Sequence, residues 1–171
     1  NSSIKGVFMN NSEDIQNKTL DRIDVKILQL LQSNGRITNT ELAGKVGLSA
    51  TPCSERVKTL ERLGYIESYG AKLNPRLLQL ELLVFVEISL IRTSPAVFEE
   101  FSQAIVALPQ ILECHLVSGN FDYLIKARVA NMAAYRQLLG ETLLTLPGVS
   151  DSRTYVVMEE VKEAQTIPVT L

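Results

Sequence analysis

From Leu83 to Val161 the apolar residues switch between a two-residue and a helical period in an order that few folds accept. Val84, Val86, Ile88 and Leu90 alternate within Leu83–Ile91, and Val97, Phe101, Ile105 and Leu108 then form a helical stripe over Pro95–Leu108. Ile111–Val117 and Asp122–Val129 read as strands joined by the turn Ser118-Gly119-Asn120. Met132, Tyr135, Leu139, Leu143 and Leu146 make a second stripe that Pro147-Gly148 stops, and Val149–Val161 is the last strand. Two β-α-β units in this order predict a split, ferredoxin-like βαββαβ sheet with both helices on one face.

The other face then lacks cover. If Val84, Val86, Ile88 and Leu90 look toward the helices, Phe85, Glu87, Ser89 and Ile91 look away, with Val117, Leu124, Tyr155 and Val157 beside them. That much apolar surface predicts a second sheet packed on it from another subunit. Glu87, Glu113, Lys126, Arg128 and Arg153 are expected to pair across the seam or stand at its rim.

The first part of the chain is patterned differently. Leu20, Ile23, Ile27, Leu30 and Leu31 share a helical stripe that Asn34-Gly35 ends. Thr38 or Asn39 can cap a short helix burying Leu42, Ala43 and Val46, and Gly47 permits a tight turn. Ser49 is positioned to cap a third helix from Ala50 to Leu63, with Pro52 in its first turn and Gly64 as its stop. Tyr65–Leu73 alternates like a short strand or wing. The expected divisions are a disordered leader at 1–19, a helix-turn-helix domain at 20–64, a strand and hinge at 65–81, and a sheet domain at 82–171 whose bare face predicts oligomerisation, giving an α+β chain overall. Within the polar leader, Met9 is a candidate natural start, which the intact mass of the naturally expressed protein decides.

Packed helix, glycine turn and capped third helix are what a helix-turn-helix requires. At helical spacing Cys53, Val57, Leu60 and Gly64 face inward, which leaves Thr51, Ser54, Glu55, Lys58 and Arg62 outward. The N-terminal half of such a helix reaches base edges, while its N-terminus at Ser49 and its basic residues bind phosphate. Arg56, on the flank, is expected to touch phosphate. The same pattern also suits a plain three-helix bundle with a solvated charged face. Glu55 fits both, accepting from a cytosine amino group or bonding within its own helix.

The net charge of −2 does not favour nucleic acid until it is divided along the chain. Lys18–Arg76 carries ten Lys/Arg against six Asp/Glu, while Leu77–Leu171 carries six against eleven. A basic module joined to an acidic one follows. With 46% hydrophobic and 21% charged residues the 171-residue chain has the composition of a folded protein, and no apolar run is long enough to span a membrane. Cys53 and Cys114, with a single histidine and no CxxC pair, suggest neither a disulfide framework nor a metal site.

Leu20-Asp21-Arg22-Ile23-Asp24, Gly35-Arg36-Ile37, the stretch Val46–Leu60 with Ser49-x-Thr51-Pro52-Cys53, and Ser118-Gly119-Asn120-Phe121-Asp122-Tyr123 together resemble the leucine-responsive regulatory protein family, the feast/famine regulators. The resemblance spans Leu20–Val161. It implies a winged helix-turn-helix joined to a regulatory domain of the split β-α-β type, dimers that assemble into octamers or hexadecamers, and an effector amino acid, leucine or one like it, bound between dimers near Ser118–Asp122. The usual Gly-Asp-Phe/Tyr-Asp-Tyr of that family appears here as Gly119-Asn120-Phe121-Asp122-Tyr123, an acid replaced by an amide.

A zwitterionic ligand needs N–H donors for its carboxylate, an acceptor for its ammonium and an apolar lining. Gly119 can present backbone N–H groups, Asn120 can donate or accept and Asp122 can face the ammonium; Leu144 and Tyr155 are candidate lining residues. The same turn residues would also serve simply to close a hairpin. Three functions compete: a cytoplasmic, nucleoid-associated bacterial regulator of transcription on double-stranded DNA, with an amino-acid effector and no cofactor; an effector-insensitive architectural DNA-binding protein; and an enzyme. No phosphate loop, metal cluster or nucleophile constellation favours the third.

Overall fold

The structure, a computed structural model, describes residues 19–164 and 166–171. It divides into two compact units, the described residues up to Lys72 together with Glu163–Leu171, and Leu73–Lys162. The expected leader lies outside the described residues except for Thr19.

The first unit holds helices α1 (Arg22–Ser33), α2 (Asn39–Val46) and α3 (Ala50–Arg62). Asp21 starts α1 through a capping box, its carboxylate accepting from Asp24 N at 2.8 Å while Asp24 accepts from Asp21 N at 3.4 Å. Of the two candidate caps for α2, Thr38 takes the position, accepting from Glu41 N. Gly47 ends that helix at φ +73, a left-handed conformation that turns the chain into α3 without a Cβ penalty. Ile27, Leu28, Leu31, Leu42, Ala43, Val46, Cys53 and Leu60 close the core.

Several expectations for this unit need correction. Ser49 occupies the N-cap of α3, yet its side chain makes no capping hydrogen bond. Leu63 rather than Gly64 is buried at the far end. No strand forms at Tyr65–Leu73, because among the described residues of this unit no second strand exists to share a ladder; Ile66 packs on the core and the Tyr69 hydroxyl donates to Glu61 at 2.8 Å. The last residues, expected with the second domain, belong to the first unit.

The second unit is a four-stranded antiparallel sheet in the order β2-β3-β1-β4, with β1 (Leu82–Leu90), β2 (Ile111–Leu116), β3 (Tyr123–Val129) and β4 (Val149–Val156). Helices α4 (Pro95–Val106) and α5 (Met132–Glu141) cover the face carrying Val84, Val86, Ile88, Ile125 and Ala127, with Phe101, Ile105, Tyr135 and Leu138 filling the space between. This is the split β-α-β arrangement. Several elements end a residue or two early, and two stop well short of what was expected. The second helix breaks after Glu141, beyond Gly140 in its last turn, and a 3-10 turn at Leu143–Thr145 completes the connection. β4 stops at Val156. Among the described residues no helix is long and apolar enough to cross a membrane.

Candidate functional site

Helix α3 presents the face that its spacing predicted. Thr51, Glu55, Lys58 and Arg62 are exposed and Ser54 is half-buried, while Cys53 and Leu60 are fully buried against α1 and α2. Lys58 and Glu55 form an ion pair at 3.2 Å. Both side chains are about two-thirds exposed, so solvent screens the pair and neither is withheld from a ligand. At the start of α3 the exposed N-terminus around Ser49 directs backbone donors outward, the geometry that suits a phosphate.

Arg56 does something else. Its Nη1 lies 2.6 Å from Asp21 Oδ2 and 2.8 Å from Asp24 Oδ1, and Asp24 is only 1% exposed. A carboxylate that deeply buried requires a cation or hydrogen-bond donors, and Arg56 supplies them. Arg56, expected at a phosphate, thus serves within the chain as a clamp between α3 and the N-terminus of α1. The N–H of Asp24 and then the Arg56 guanidinium hold the Asp21 carboxyl below its ordinary value, and the same pairs raise Arg56 above its own. A second tie is Asn39 Nδ2, which donates to the Ala50 carbonyl at 2.8 Å and fixes the start of α3 to the start of α2. The sequence reading missed both ties. Asp21 and Asp24, three apart at a helix start, were the available signal for the first; nothing marked Asn39 for the second.

In the second unit Gly119 and Asn120 are exposed and Asp122 is half-buried. Asp122 braces the end of the sheet: its Oδ2 accepts from Leu90 N at 2.7 Å, its N donates to Ile88 O at 2.9 Å, and its carbonyl accepts from Val117 N at 2.9 Å. One carboxylate oxygen is thus committed to structure. Leu90 pairs with Val149, and Ile91 N donates to Gly148 O at 2.7 Å, so the chain leaving Leu144 enters β4 at this same end. Leu143 is buried there while Leu144 is 46% exposed.

Tyr155 is not brought to this place. Six residues along β4 from Val149, at about 3.3 Å each, put it roughly 20 Å away. It pairs with Phe85 on the face turned from the helices, where its hydroxyl donates to Glu87 at 2.9 Å. Within one protomer, then, Gly119, Asn120 and Asp122 gather with the end of β1 and the approach to β4, and Tyr155 stands apart.

Three of the charges expected at a subunit seam or its rim, Glu113, Lys126 and Arg128, have ion-pair partners inside the chain. Glu113 binds Lys126 at 3.1 Å and His115 at 3.2 Å, and those contacts, His115 first, lower its carboxyl from the ordinary value. Arg128 is buried, donating to Glu160 at 2.7 Å and to the Leu80 carbonyl at 3.4 Å; it fastens the segment beyond β4 to the sheet instead of standing at an open rim. Cys53 and Cys114 are free, and burial pushes the Cys114 thiol up to about 11. Among the described residues no cluster of three or more His, Cys, Asp or Glu could hold a metal ion.

These features can be set beside known proteins. The family model for the Lrp/AsnC ligand binding domain matches residues 83–167, and that for winged helix-turn-helix DNA-binding matches 20–67. The chain is 66% identical over 151 residues to the leucine-responsive regulatory protein of Haemophilus influenzae, covering 88% of this chain and 91% of that one. It is 63% identical to the protein of the same name from Escherichia coli K12, covering 88% and 92%. Among solved structures, a transcriptional regulator from Neisseria meningitidis in complex with L-Met is 39% identical, with a TM-score of 0.84 over 88% of this chain and 97% of that one. An AsnC family regulator from Agrobacterium tumefaciens is 32% identical with a TM-score of 0.83, over 87% and 97%.

Proposed function

The chain belongs to the Lrp/AsnC family of transcription regulators, and we propose that it binds DNA sequence-specifically as a homodimer, with its activity and assembly set by an amino acid, leucine or one like it. The observation that carries this reading is the polar face of α3. It lies in the segment that matches a winged helix-turn-helix, and it is exposed on a helix anchored by Arg56 and Asn39. In the dimer the two α3 helices enter successive major grooves ~34 Å apart. Thr51, Ser54 and Glu55 reach base edges, and Ser49, Lys58 and Arg62 meet phosphate.

The effector sits at the Ser118–Asp122 turn. Backbone N–H groups at Gly119 take its carboxylate, the free oxygen of Asp122 takes its ammonium, and Asn120 and Leu144 complete the lining. Tyr155 joins that site only if a second protomer supplies it. The sheet face bearing Phe85 and Leu124 is covered by a second copy, and dimers assemble further into octamers or hexadecamers. The protein acts in the bacterial cytoplasm at the nucleoid, catalyses no reaction, and uses no cofactor beyond its effector.

Binding to genomic fragments against random DNA at fixed salt, with and without leucine and other amino acids and with oligomer mass followed in parallel, tests this. Selective binding that shifts with one amino acid is the expected result. Similar affinity for unrelated duplexes, steeply salt-dependent and blind to every amino acid, would replace it with an architectural role.

A further inference from the structure

We propose that the outer face of α1 is a docking groove for an extended peptide, and that its occupant is the chain's own C-terminal segment, Thr166–Leu171, which thereby forms part of the DNA-binding unit. Gln32 binds one residue at two points: its Nε2 donates to the Ile167 carbonyl at 2.7 Å and its Oε1 accepts from Ile167 N at 3.0 Å. Gln29 Nε2 donates to the Val169 carbonyl at 2.9 Å. Glutamines three apart on a helix lie one above the other, and residues two apart in an extended chain turn the same way. A primary amide offers donor and acceptor together, so this pair presents to the segment what the edge of a neighbouring strand would.

The intervening residue fits the scheme. Pro168 falls where the backbone faces away from the glutamines, so its missing N–H costs nothing on α1 and denies the outer edge to another strand. Val169 packs against the apolar core of this unit, whereas Ile167 is 71% exposed. The groove therefore reads backbone at 167 and both backbone and side chain at 169. A cleft of about 580 Å³ runs beside the segment, lined by Leu20, Leu28, Leu31, Tyr65, Tyr69 and Pro168. Upstream, Lys72 holds Glu163 at 3.2 Å where the segment enters the unit.

Seating of the segment thus makes the order of α1 depend on residues that follow β4 of the other unit. The test uses the full chain, a chain ending at Ala164, and a synthetic peptide of sequence Thr-Ile-Pro-Val-Thr-Leu, with NMR signals of the Gln29 and Gln32 side-chain amides as readout. The truncated chain should bind the peptide saturably, the intact chain at least tenfold more weakly because its groove is filled, and Gln32→Ala should abolish binding to the truncated chain. In the intact chain, Gln29→Ala with Gln32→Ala should speed amide exchange across Arg22–Ser33 at least tenfold. Equal binding by intact and truncated chains, no saturable binding, or unchanged exchange would each overturn the proposal. DNA binding by the intact chain, measured alongside, stands or falls separately.

Discussion

Arg56 on α3 sets its guanidinium 2.8 Å from the carboxylate of Asp24 on α1, and that carboxylate is almost wholly removed from solvent. The helix proposed to face DNA is therefore oriented by an ion pair as well as by apolar packing. Removing one partner from such a pair leaves the other charge buried without compensation, typically costing ~3–5 kcal/mol. Arg56 itself is about one-third exposed, which places the cost of Arg56→Ala near the lower bound, about 3 kcal/mol. Urea unfolding should show the loss. Arg56→Gln, measured where it stays folded, should leave the salt dependence of DNA affinity unchanged if the guanidinium serves only Asp21 and Asp24; a slope reduced by about one would return Arg56 to the interface.

Lys58 is the contrasting case on the same helix. Its exposed pair with Glu55 contributes little to stability, so Lys58→Ala should leave the unfolding midpoint nearly unchanged. DNA affinity should fall, with the slope of log K against log salt reduced by roughly 0.9. Thr51, Ser54 and Glu55 substitutions should instead change which sequences are preferred, as read by binding selection from a random library.

Asp122 has two roles that two substitutions separate. Asp122→Asn keeps an acceptor for Leu90 N but removes the charge offered to an ammonium. It should fold normally, bind DNA and lose the amino-acid response. Asp122→Ala also loses the brace and should be less stable by about 1.5–3 kcal/mol, the usual worth of a hydrogen bond to a charged group. A full effector response in the asparagine variant would remove Asp122 from the effector site.

Acid should weaken the first unit partly through Asp21. Its native carboxyl is held below the unfolded value of roughly 3.9 by the Asp24 N–H and then by Arg56. Between those values the unfolded chain binds more protons, so the stabilisation present above ~3.9 is lost as pH falls through the native value. D21N should flatten the acid limb of the stability profile, measured as the urea midpoint from neutral pH downward.

Gly148 occupies φ +74 at the entry to β4, and a Cβ there would lie 2.6 Å from Val97 Cγ1 on α4. Left-handed backbone alone costs other residues ~1–2 kcal/mol. Gly148→Ala should destabilise the second unit by more than that, as read from thermal unfolding, and a loss of only ~1–2 kcal/mol would mean that Val97 gives way.

The order of strands and helices was legible because each element's apolar period survives unaided in the sequence: Val84, Val86, Ile88 and Leu90 all face the helices and are all buried. The outward set on α3 was legible for the same reason, since helical spacing fixes azimuth once Cys53 and Leu60 are taken as inward. Gly47 declared its turn because few other residues tolerate it. The Gly119-Asn120 turn and Asp122 were likewise found as neighbours in sequence.

What spacing could not supply was the partner of each polar group, which depends on three-dimensional proximity between residues far apart in sequence. Arg56 looked free because Asp21 lies thirty-five positions away. Arg128 looked like a rim charge because Glu160 lies beyond the strand that follows. Tyr155 stands far along β4 from the turn, a separation that residue spacing does not show, and Gln29 and Gln32 gave no hint of the tail they hold. Sequence by itself determined which residues are inside, since burial follows local periodicity. Tertiary structure alone decided which charges and amides are already spoken for, since a polar group's energy depends on what lies within three ångströms of it.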